Sequence, residues 1–358
     1  MASADSSVQG EERMLNSIKI GLWLFFVFAL AVVYKVSLPS GWIFSTTLST
    51  ERPLIQEDVI KQSRSIIFVE TTDRLEPPHL VSCAVESASR TYRDRPVLFF
   101  MKGLKNNTLL DSNSSYPAFS LLSAMENVHI HPFQMDSLFQ ETPLLPWYRK
   151  VDPKQERYWT HVSSDACRLA FIWKYGGIYL DTDVISMRPI PVANFLAAEA
   201  SQVSSNGVFG FPRHHWFIWG CMEDFVRNYR GAIWGYQGPS LMTRRLKLLC
   251  NLTNFQGVED QRCHNISFLH PHRFYPIPYP AWKQYYEVWK TIPVFNNSYA
   301  LHLWNYMNQQ RKTVVAGSNT LVENLYKAYC PTTYKVLIQG TEGSGLTQQS
   351  KTDSSKTS

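Results

Sequence analysis

Two carboxylates separated by one residue, Asp181 and Asp183, follow a short apolar run at residues 178–180. The run comes after Gly176 and Gly177, and glycine tolerates the left-handed conformation that ends helices, so the pattern predicts a helix, a stop and a brief strand. Ligands of open α/β sheets bind outside the carboxyl ends of strands. Carboxylates there can hold Mg²⁺ or Mn²⁺, which neutralises a diphosphate. We therefore predict that this pair binds a metal that stabilises a departing diphosphate.

A second charged pair, Asp165 and Arg168, precedes the glycines and has the spacing of one helical turn. Side chains at that spacing share one face of a helix. Arg168 can reach a phosphate, and Asp165 can bind a sugar hydroxyl. Ser164 is the predicted N-cap of this helix. In isolation such a pair is more commonly a surface ion pair, but its position before Asp181 favours a site.

A late segment, residues 298–305, alternates like a strand and places His302 and Trp304 on one face. A neutral imidazole can be a third metal ligand, and an indole N–H can donate to a phosphate. The alternative, a histidine and a tryptophan packed in the core, fits the pattern equally well. The segment at residues 274–279 is interpreted as a rigid surface loop whose rings can stack on sugars.

Apolar runs near residues 65–70, 97–101 and 127–131 are typical of buried strands. Between the first two, Val81, Val85 and Ala88 have helical spacing. Strands that alternate with helices predict an α/β fold with a mostly parallel sheet and flanking helices.

Composition limits the classes of partner and compartment. A net charge of +6 without a dense basic run argues against nucleic acid, whereas a small anionic nucleotide fits. The six cysteines form no C-x-x-C pair and favour an oxidising compartment. Cys250 with Cys263 is the one disulfide predicted, because they close a short polar loop. Cys167, inside a helical pattern, is predicted to be a buried thiol.

The amino-terminal region is predicted to anchor the chain in a membrane. Residues 20–34 carry no charge, and flanking lysines extend the usable span to 18–36. A cleaved signal peptide is the alternative. A span this short suits the early secretory pathway, and the run is interpreted as an uncleaved signal anchor, so we predict a single-pass type II membrane protein of that pathway. Its parts are a cytosolic tail (1–17), the anchor, a stem (37–63), a lumenal body (64–338) and a disordered tail (339–358).

Glycosylation sequons support this topology because all of them follow the apolar run. Five asparagines occupy acceptor motifs, and this makes the body a predicted glycoprotein of the lumen. They are Asn106, Asn113, Asn251, Asn265 and Asn296.

The stretch SDACRLAFIWKYGGIYLDTD, residues 164–183, resembles the core of the glycosyltransferases with a DXD sugar-binding motif, glycosyltransferase family 32. The resemblance extends from about residue 68 to residue 331. It implies a GT-A fold, a UDP-sugar donor, Mn²⁺ and retention at the anomeric carbon. Residues 77–83, 205–211 and 318–324 are most similar to family members that transfer N-acetylglucosamine.

The resemblance also implies roles for individual residues. Asp165 and Arg168 would contact the donor sugar and phosphate, and Tyr179 would lie on the nucleotide side. Asp181 would contact the ribose or sugar and the metal, and Asp183 would bind the metal directly.

Two further residues are assigned to the acceptor side. Asn206 would line the acceptor cleft, and Gln237 would hydrogen-bond sugar hydroxyls on a loop before a helix. No carboxylate is clearly placed as a base for the acceptor hydroxyl, so same-face attack and a covalent intermediate both stay open.

The implied activity is transfer of N-acetylglucosamine from UDP-GlcNAc in α-1,4 linkage to terminal β-galactose of core 2-branched mucin-type O-glycans. One alternative is α-1,4-galactosyl transfer to lactosylceramide. A second alternative is an inactive sugar-binding protein on the same fold, against which the intact Asp165, Arg168, Asp181 and Asp183 argue.

Overall fold

The computed structural model describes residues 64–105, 116–250, 255 and 257–340 of the 358-residue chain. Ten strands are described: β1 Ile66–Glu70, β2 Val97–Met101, β3 Val128–Pro132, β4 Gly177–Leu180, β5 Val184–Ser186, β6 Phe195–Ala200, β7 Val203–Phe211, β8 Gln261–Cys263, β9 Ile266–Leu269 and β10 Ala300–His302. The described helices are α1 His79–Thr91, α2 Pro117–Ser123, α3 Met135–Phe139, α4 Leu144–Lys150, α5 Trp159–Tyr175, α6 Trp216–Arg227, α7 Pro239–Leu249, α8 Leu321–Tyr329 and α9 Pro331–Thr333. Short 3₁₀ turns cover Pro271–Arg273, Tyr279–Tyr286 and Asn305–Met307, and a π-helical turn covers Tyr334–Gln339.

Eight strands form one sheet in the order β3-β2-β1-β4-β7-β6-β9-β8. The first four are mutually parallel, and β6 is parallel to β9, whereas β7 runs antiparallel to both β4 and β6. Strands β5 and β10 form a separate antiparallel ladder. The predicted α/β class with a mostly parallel sheet is therefore confirmed, and the GT-A assignment stays a prediction. The predicted anchor helix at 18–36 lies outside the described residues.

Every residue of β1 and β2 is buried, as expected for strands covered on both faces. Alternate side chains of β1 enter two separate cores: Ile66 and Phe68 pack towards α1 and α8, and Ile67 and Val69 pack towards α5 and α6. The sheet is thus the middle layer of three. The edge at which its parallel strands have their carboxyl ends lies between the two helical layers.

The boundaries of α5 correct one prediction and confirm another. The helix begins at Trp159, so Ser164 lies inside the helix and is not its N-cap. It ends at Gly176, where φ is 67°, and Gly177 follows at 105°. The glycine stop is therefore as predicted, and it turns the chain directly into β4.

Two disulfides brace the described part of the chain. Cys250 bonds to Cys263, as predicted. A second bond, which the sequence did not reveal, joins Cys83 of α1 to Cys330, which precedes α9. Cys167 is a buried free thiol, as predicted.

Most of the residues on which the membrane-anchor and glycosylation predictions rest lie outside the described ranges. Within the described ranges, no helix combines the length and apolarity that crossing a bilayer requires. Asn106, Asn113 and Asn251 lie outside these ranges, whereas Asn265 and Asn296 are described and exposed.

Candidate active site

The carboxyl end of β4 delivers Asp181 and Asp183 to the edge of the sheet, as the strand pattern predicted. Their side chains retain 22% and 14% exposure, so a ligand can reach them. The β5–β10 ladder pairs Val184 with His302 and thereby places the imidazole beside both aspartates. Nε2 of His302 lies 3.6 Å from Asp181 Oδ2 and 3.3 Å from Asp183 Oδ1.

Potential ligand atoms of Asp181, Asp183 and His302 all lie within 4.8 Å of one another. Carboxylate oxygens suit a hard divalent cation, so the two aspartates fit a metal as they stand. His302 is differently placed, because its Nδ1 accepts the backbone N–H of Trp304 at 3.2 Å. Coordination through Nε2 would require the neutral ring to carry its proton on Nδ1 and to lose that bond. The cluster therefore suits a divalent cation, with the aspartates as its ready ligands.

Arg168 joins helix α5 to the aspartates. Its Nη1 lies 3.1 Å from Asp181 Oδ1 and donates to the carbonyl of Asn206 at 2.9 Å. The guanidinium also lies over the ring of Tyr179, 4.9 Å from the ring centre. Its Nε is buried without a hydrogen-bond partner among the described residues. This Nε lies 3.8 Å from Asp165 Oδ1, so the guanidinium pairs with both Asp165 and Asp181.

Asp165 is buried next to Arg168 and accepts from the Asn206 amide at 2.6 Å. Burial raises the pKa of Asp165 to about 6, against the opposing effects of Arg168 and the Asn206 bond. Tyr179 donates its hydroxyl to Asp181 at 2.7 Å. The structure therefore brings four of the five predicted donor-side residues, Asp165, Arg168, Tyr179 and Asp181, into one cluster.

The surroundings of the two DXD carboxyls shift their pKa values in opposite directions. Burial raises the pKa of Asp181, but Arg168, His302 and Tyr179 outweigh that effect and lower it. For Asp183, burial and the charge of Asp181 outweigh His302, and its pKa is raised. Asp181 is accordingly the more readily ionised carboxylate of the pair.

Asn206 reaches this cluster because β7 is antiparallel to β4. Leu180 pairs with Val208, and the Asp181 N–H donates to the Gly207 carbonyl at 2.8 Å. Asn206 consequently contacts Asp165 and Arg168, which are residues predicted to bind the donor. Its assignment to the acceptor cleft stays a prediction.

Two side chains that were predicted to contact ligands form hydrogen bonds within the protein instead. The Trp304 indole N–H donates to the Ile277 carbonyl at 2.8 Å, so the expected bond to a phosphate is not available in this arrangement. Gln237 is buried, and its amide bonds to the backbone of Phe225 and Arg230. Gln237 therefore stabilises its own loop, and its predicted contact with sugar hydroxyls has no support in this geometry.

The sequence interpretation missed a buried hydroxyl pair beneath the site. Tyr275 donates to Ser205 Oγ at 2.5 Å, and Ser205 Oγ accepts the Gly207 N–H at 2.9 Å. Tyr275 also packs against His302 and Trp304. The segment interpreted as a surface loop is thus largely internal, with Phe274, Tyr275 and Ile277 buried. Its two prolines and lack of periodicity gave no signal of burial.

A DXD pair with an arginine partner at the carboxyl edge of a mixed α/β sheet defines the class of DXD glycosyltransferases. Two family profiles match the chain. The "Glycosyltransferase sugar-binding region containing DXD motif" matches residues 78–202, and the "Alpha 1,4-glycosyltransferase conserved region" matches residues 210–337. The chain therefore belongs to glycosyltransferase family 32, and it is an α-1,4-glycosyltransferase.

Two relatives agree with this membership. Human alpha-1,4-N-acetylglucosaminyltransferase is 56% identical over 332 residues, covering 92% of this chain and 97% of that protein. Human lactosylceramide 4-alpha-galactosyltransferase is 40% identical over 280 residues, covering 76% and 77%. A solved galactosyltransferase in complex with donor and acceptor sugar analogues is 13% identical, with a TM-score of 0.39, covering 75% of this chain and 95% of that one.

Proposed function

We propose that this enzyme transfers N-acetylglucosamine from UDP-GlcNAc, with retention, in α-1,4 linkage to terminal β-galactose of core 2-branched mucin-type O-glycans. The observation that carries the proposal is the cluster of Asp181, Asp183 and His302 beside the Arg168 guanidinium. The choice of sugar follows the 56% identical human relative, whose name specifies N-acetylglucosamine.

The chain's own residues bind and orient the donor. The guanidinium of Arg168, paired with Asp165 and Asp181, stabilises negative charge on the departing UDP. Asp165, fixed by Asn206, accepts a sugar hydroxyl. Because Tyr179 and Arg168 hold Asp181 in place, little reorganisation is needed when charge develops.

Asp181 and Asp183 would hold Mn²⁺, with His302 as a candidate third ligand. The cation would supply Lewis-acid stabilisation of the diphosphate. Family membership and the donor set support a divalent cation; the preference for manganese is part of the proposal.

We further propose a type II orientation in the Golgi membrane with the catalytic body in the lumen. The two disulfides and the exposed sequon asparagines Asn265 and Asn296 support an oxidising, glycosylating compartment. Glycosidase treatment of the protein from cells should increase its mobility, and protease added outside intact vesicles should spare the body. Cleavage of the body in intact vesicles would contradict this topology.

One experiment separates the proposed function from its main alternative, galactosyl transfer to lactosylceramide, which the 40% identical relatives favour. The purified chain receives UDP-GlcNAc or UDP-Gal, each with a core 2 glycan or a lactosyl acceptor, in Mn²⁺. We expect turnover with UDP-GlcNAc and the core 2 acceptor, and an α-anomeric proton in the product by NMR. Preference for UDP-Gal with the lactosyl acceptor would replace the proposal with the alternative.

A further inference from the structure

An exposed aromatic pair lies beside the polar cluster and has no part in the chemistry described above. Trp234 and Tyr306 stack with ring centres 4.0 Å apart and planes 13° from parallel. The His161 ring centre lies 4.4 and 4.7 Å from those of Trp234 and Tyr306, and its plane is nearly perpendicular to both. Trp234 and Tyr306 are 45% and 44% exposed, although burial of an aromatic ring lowers its free energy relative to exposure to water.

Two separate paths of contacts place this pair at the site. On α5, His161 precedes Asp165 by four residues, so it lies one turn away on the same face, at about 6 Å along the axis. On the other side, Tyr306 follows Asn305, whose backbone N–H donates to Asp183 Oδ2 at 2.8 Å. The stack therefore borders the site next to the residues proposed to hold the donor.

Both loops that carry the rings are held by hydrogen bonds. The Trp234 loop is fixed by Gln237, which bonds to Phe225 and Arg230, and the Tyr306 turn is fixed through Asn305. Burial lowers the pKa of His161 to about 4, with Arg168 adding to the effect, so its ring is neutral near pH 7. The result is a rigid, uncharged and partly exposed surface at the margin of a charged site.

We propose that the Trp234–Tyr306 stack is the platform for the acceptor galactose and determines acceptor affinity, the sugar lying on an outer face of the stack while the second ring supports the first from behind. The inference rests on the proposed function, because it takes the acceptor to end in β-galactose. One face of galactose presents the C3, C4 and C5 hydrogens and is apolar, and the axial O4 points to the opposite face. A galactose stacked on these rings through its apolar face directs O4, the attacking atom, away from the platform.

The first test measures kinetics of the full chain. Trp234→Ala and Tyr306→Ala should each raise the acceptor KM about tenfold, while the donor KM and the hydrolysis of UDP-GlcNAc without acceptor stay within twofold. Trp234→Phe and Tyr306→Phe, which keep a ring, should restore most of the acceptor affinity. An unchanged acceptor KM in both alanine variants would overturn the proposal, as would an equal rise in the donor KM.

Trp216→Ala is the matched control. Trp216 is 50% exposed and follows the end of β7 that pairs with Gly177, which is the opposite end of β4 from Asp181. Its removal should leave every kinetic constant unchanged.

The second test does not depend on turnover. Saturation-transfer NMR of a β-galactoside with the chain, UDP and Mg²⁺ should show the strongest transfer to H3, H4 and H5, and Trp234→Ala should abolish this pattern. Failure of transfer from UDP-GlcNAc with this pattern intact refutes the proposed function but not the platform. Normal transfer with no dependence of the pattern on Trp234 refutes the platform alone.

Discussion

Arg168 of helix α5 and Asp181 at the end of β4 form an ion pair of 3.1 Å with only 11% and 22% of their side chains exposed. The pair joins the two chain segments on either side of the glycine stop. It also restrains the carboxylate proposed to bind the cation, so the donor site and the metal site share one charged contact.

Replacement of this guanidinium by an amine tests whether its shape matters beyond its charge. Arg168→Lys keeps a cation but loses the planar donor set, so it cannot bond to Asp181, Asn206 and Ser164 together. We expect kcat to fall about 100-fold with fold retained, as measured by initial rates and circular dichroism. Arg149→Lys, which alters an exposed pair with Asp136, is the control and should be silent. A wild-type kcat in Arg168→Lys would show that catalysis does not need the guanidinium group.

Chelation and ligand substitution test the metal site. EDTA should abolish transfer, and added Mn²⁺ should restore it.

Asp183→Asn should abolish metal-dependent transfer, because it removes the charge from a proposed ligand. His302→Ala should raise the Mn²⁺ concentration for half-maximal rate by about tenfold or more, whether the ring binds metal or orients the aspartates. Full activity in EDTA, or in Asp183→Asn, would contradict the metal assignment.

Gly207 leaves room for the Asp181 carboxylate. A Cβ at this position would lie 2.7 Å from Asp181 Oδ2 and 3.3 Å from Ser205 Oγ. Gly207→Ala should therefore displace Asp181 and reduce transfer about 100-fold, with a loss of about 1–3 kcal/mol in the free energy of unfolding. Rates and a urea titration measure the two effects. If the variant were as active as wild type, Asp181 would not need its observed position.

Glu323 provides a pH-dependent contribution to stability far from the DXD pair in sequence. It is buried on α8, pairs with Lys327 at 2.8 Å and accepts from Tyr334 at 2.6 Å. Burial raises its pKa, but Lys327, Tyr334 and the N–H groups of Gly317 and Asn319 outweigh burial and lower it to about 2.

A lowered pKa in the folded state stabilises the protein above the unfolded value near 4.5, and this contribution is lost as pH falls towards 2. The advantage of wild type over Glu323→Gln in urea unfolding should shrink by about 2 kcal/mol between pH 6 and pH 3. Glu259→Gln, at an exposed position, should show no such change. A constant difference across that range would mean that Glu323 titrates normally.

The sequence predicted the elements wherever periodicity was strong. Strands β1, β2 and β4 and the glycine stop lie where apolar runs and glycine chemistry placed them. The start of α5 was misplaced because Trp159 begins the helix with no side-chain cap at Tyr158, so tertiary packing sets that end. Cys83 and Cys330 could not be matched, since six cysteines allow many pairings.

The sequence predicted which residues form the site better than it predicted their hydrogen-bond partners. Asp165, Arg168, Tyr179 and Asp181 meet as expected, because their strand and helix were correctly placed. Sequence cannot show that the Trp304 indole donates to the Ile277 carbonyl, 27 residues earlier, or that the Gln237 amide bonds to the backbone of its own loop and of the preceding helix. Nor can it show that Tyr275, which precedes Pro276, turns inwards to Ser205.

The bond between Cys83 and Cys330 spans 247 residues, and beside it Glu86 accepts the backbone N–H groups of Thr332 and Thr333. Cys330 is synthesised 247 residues after Cys83, so α1 cannot be tied to α9 until the residues of the proposed site have been made. Until then Cys83 is a thiol that other cysteines can capture. A chain cut short before Cys330 would carry every residue of the proposed site and still lack the disulfide and the Glu86 bonds that tie α1 to α9.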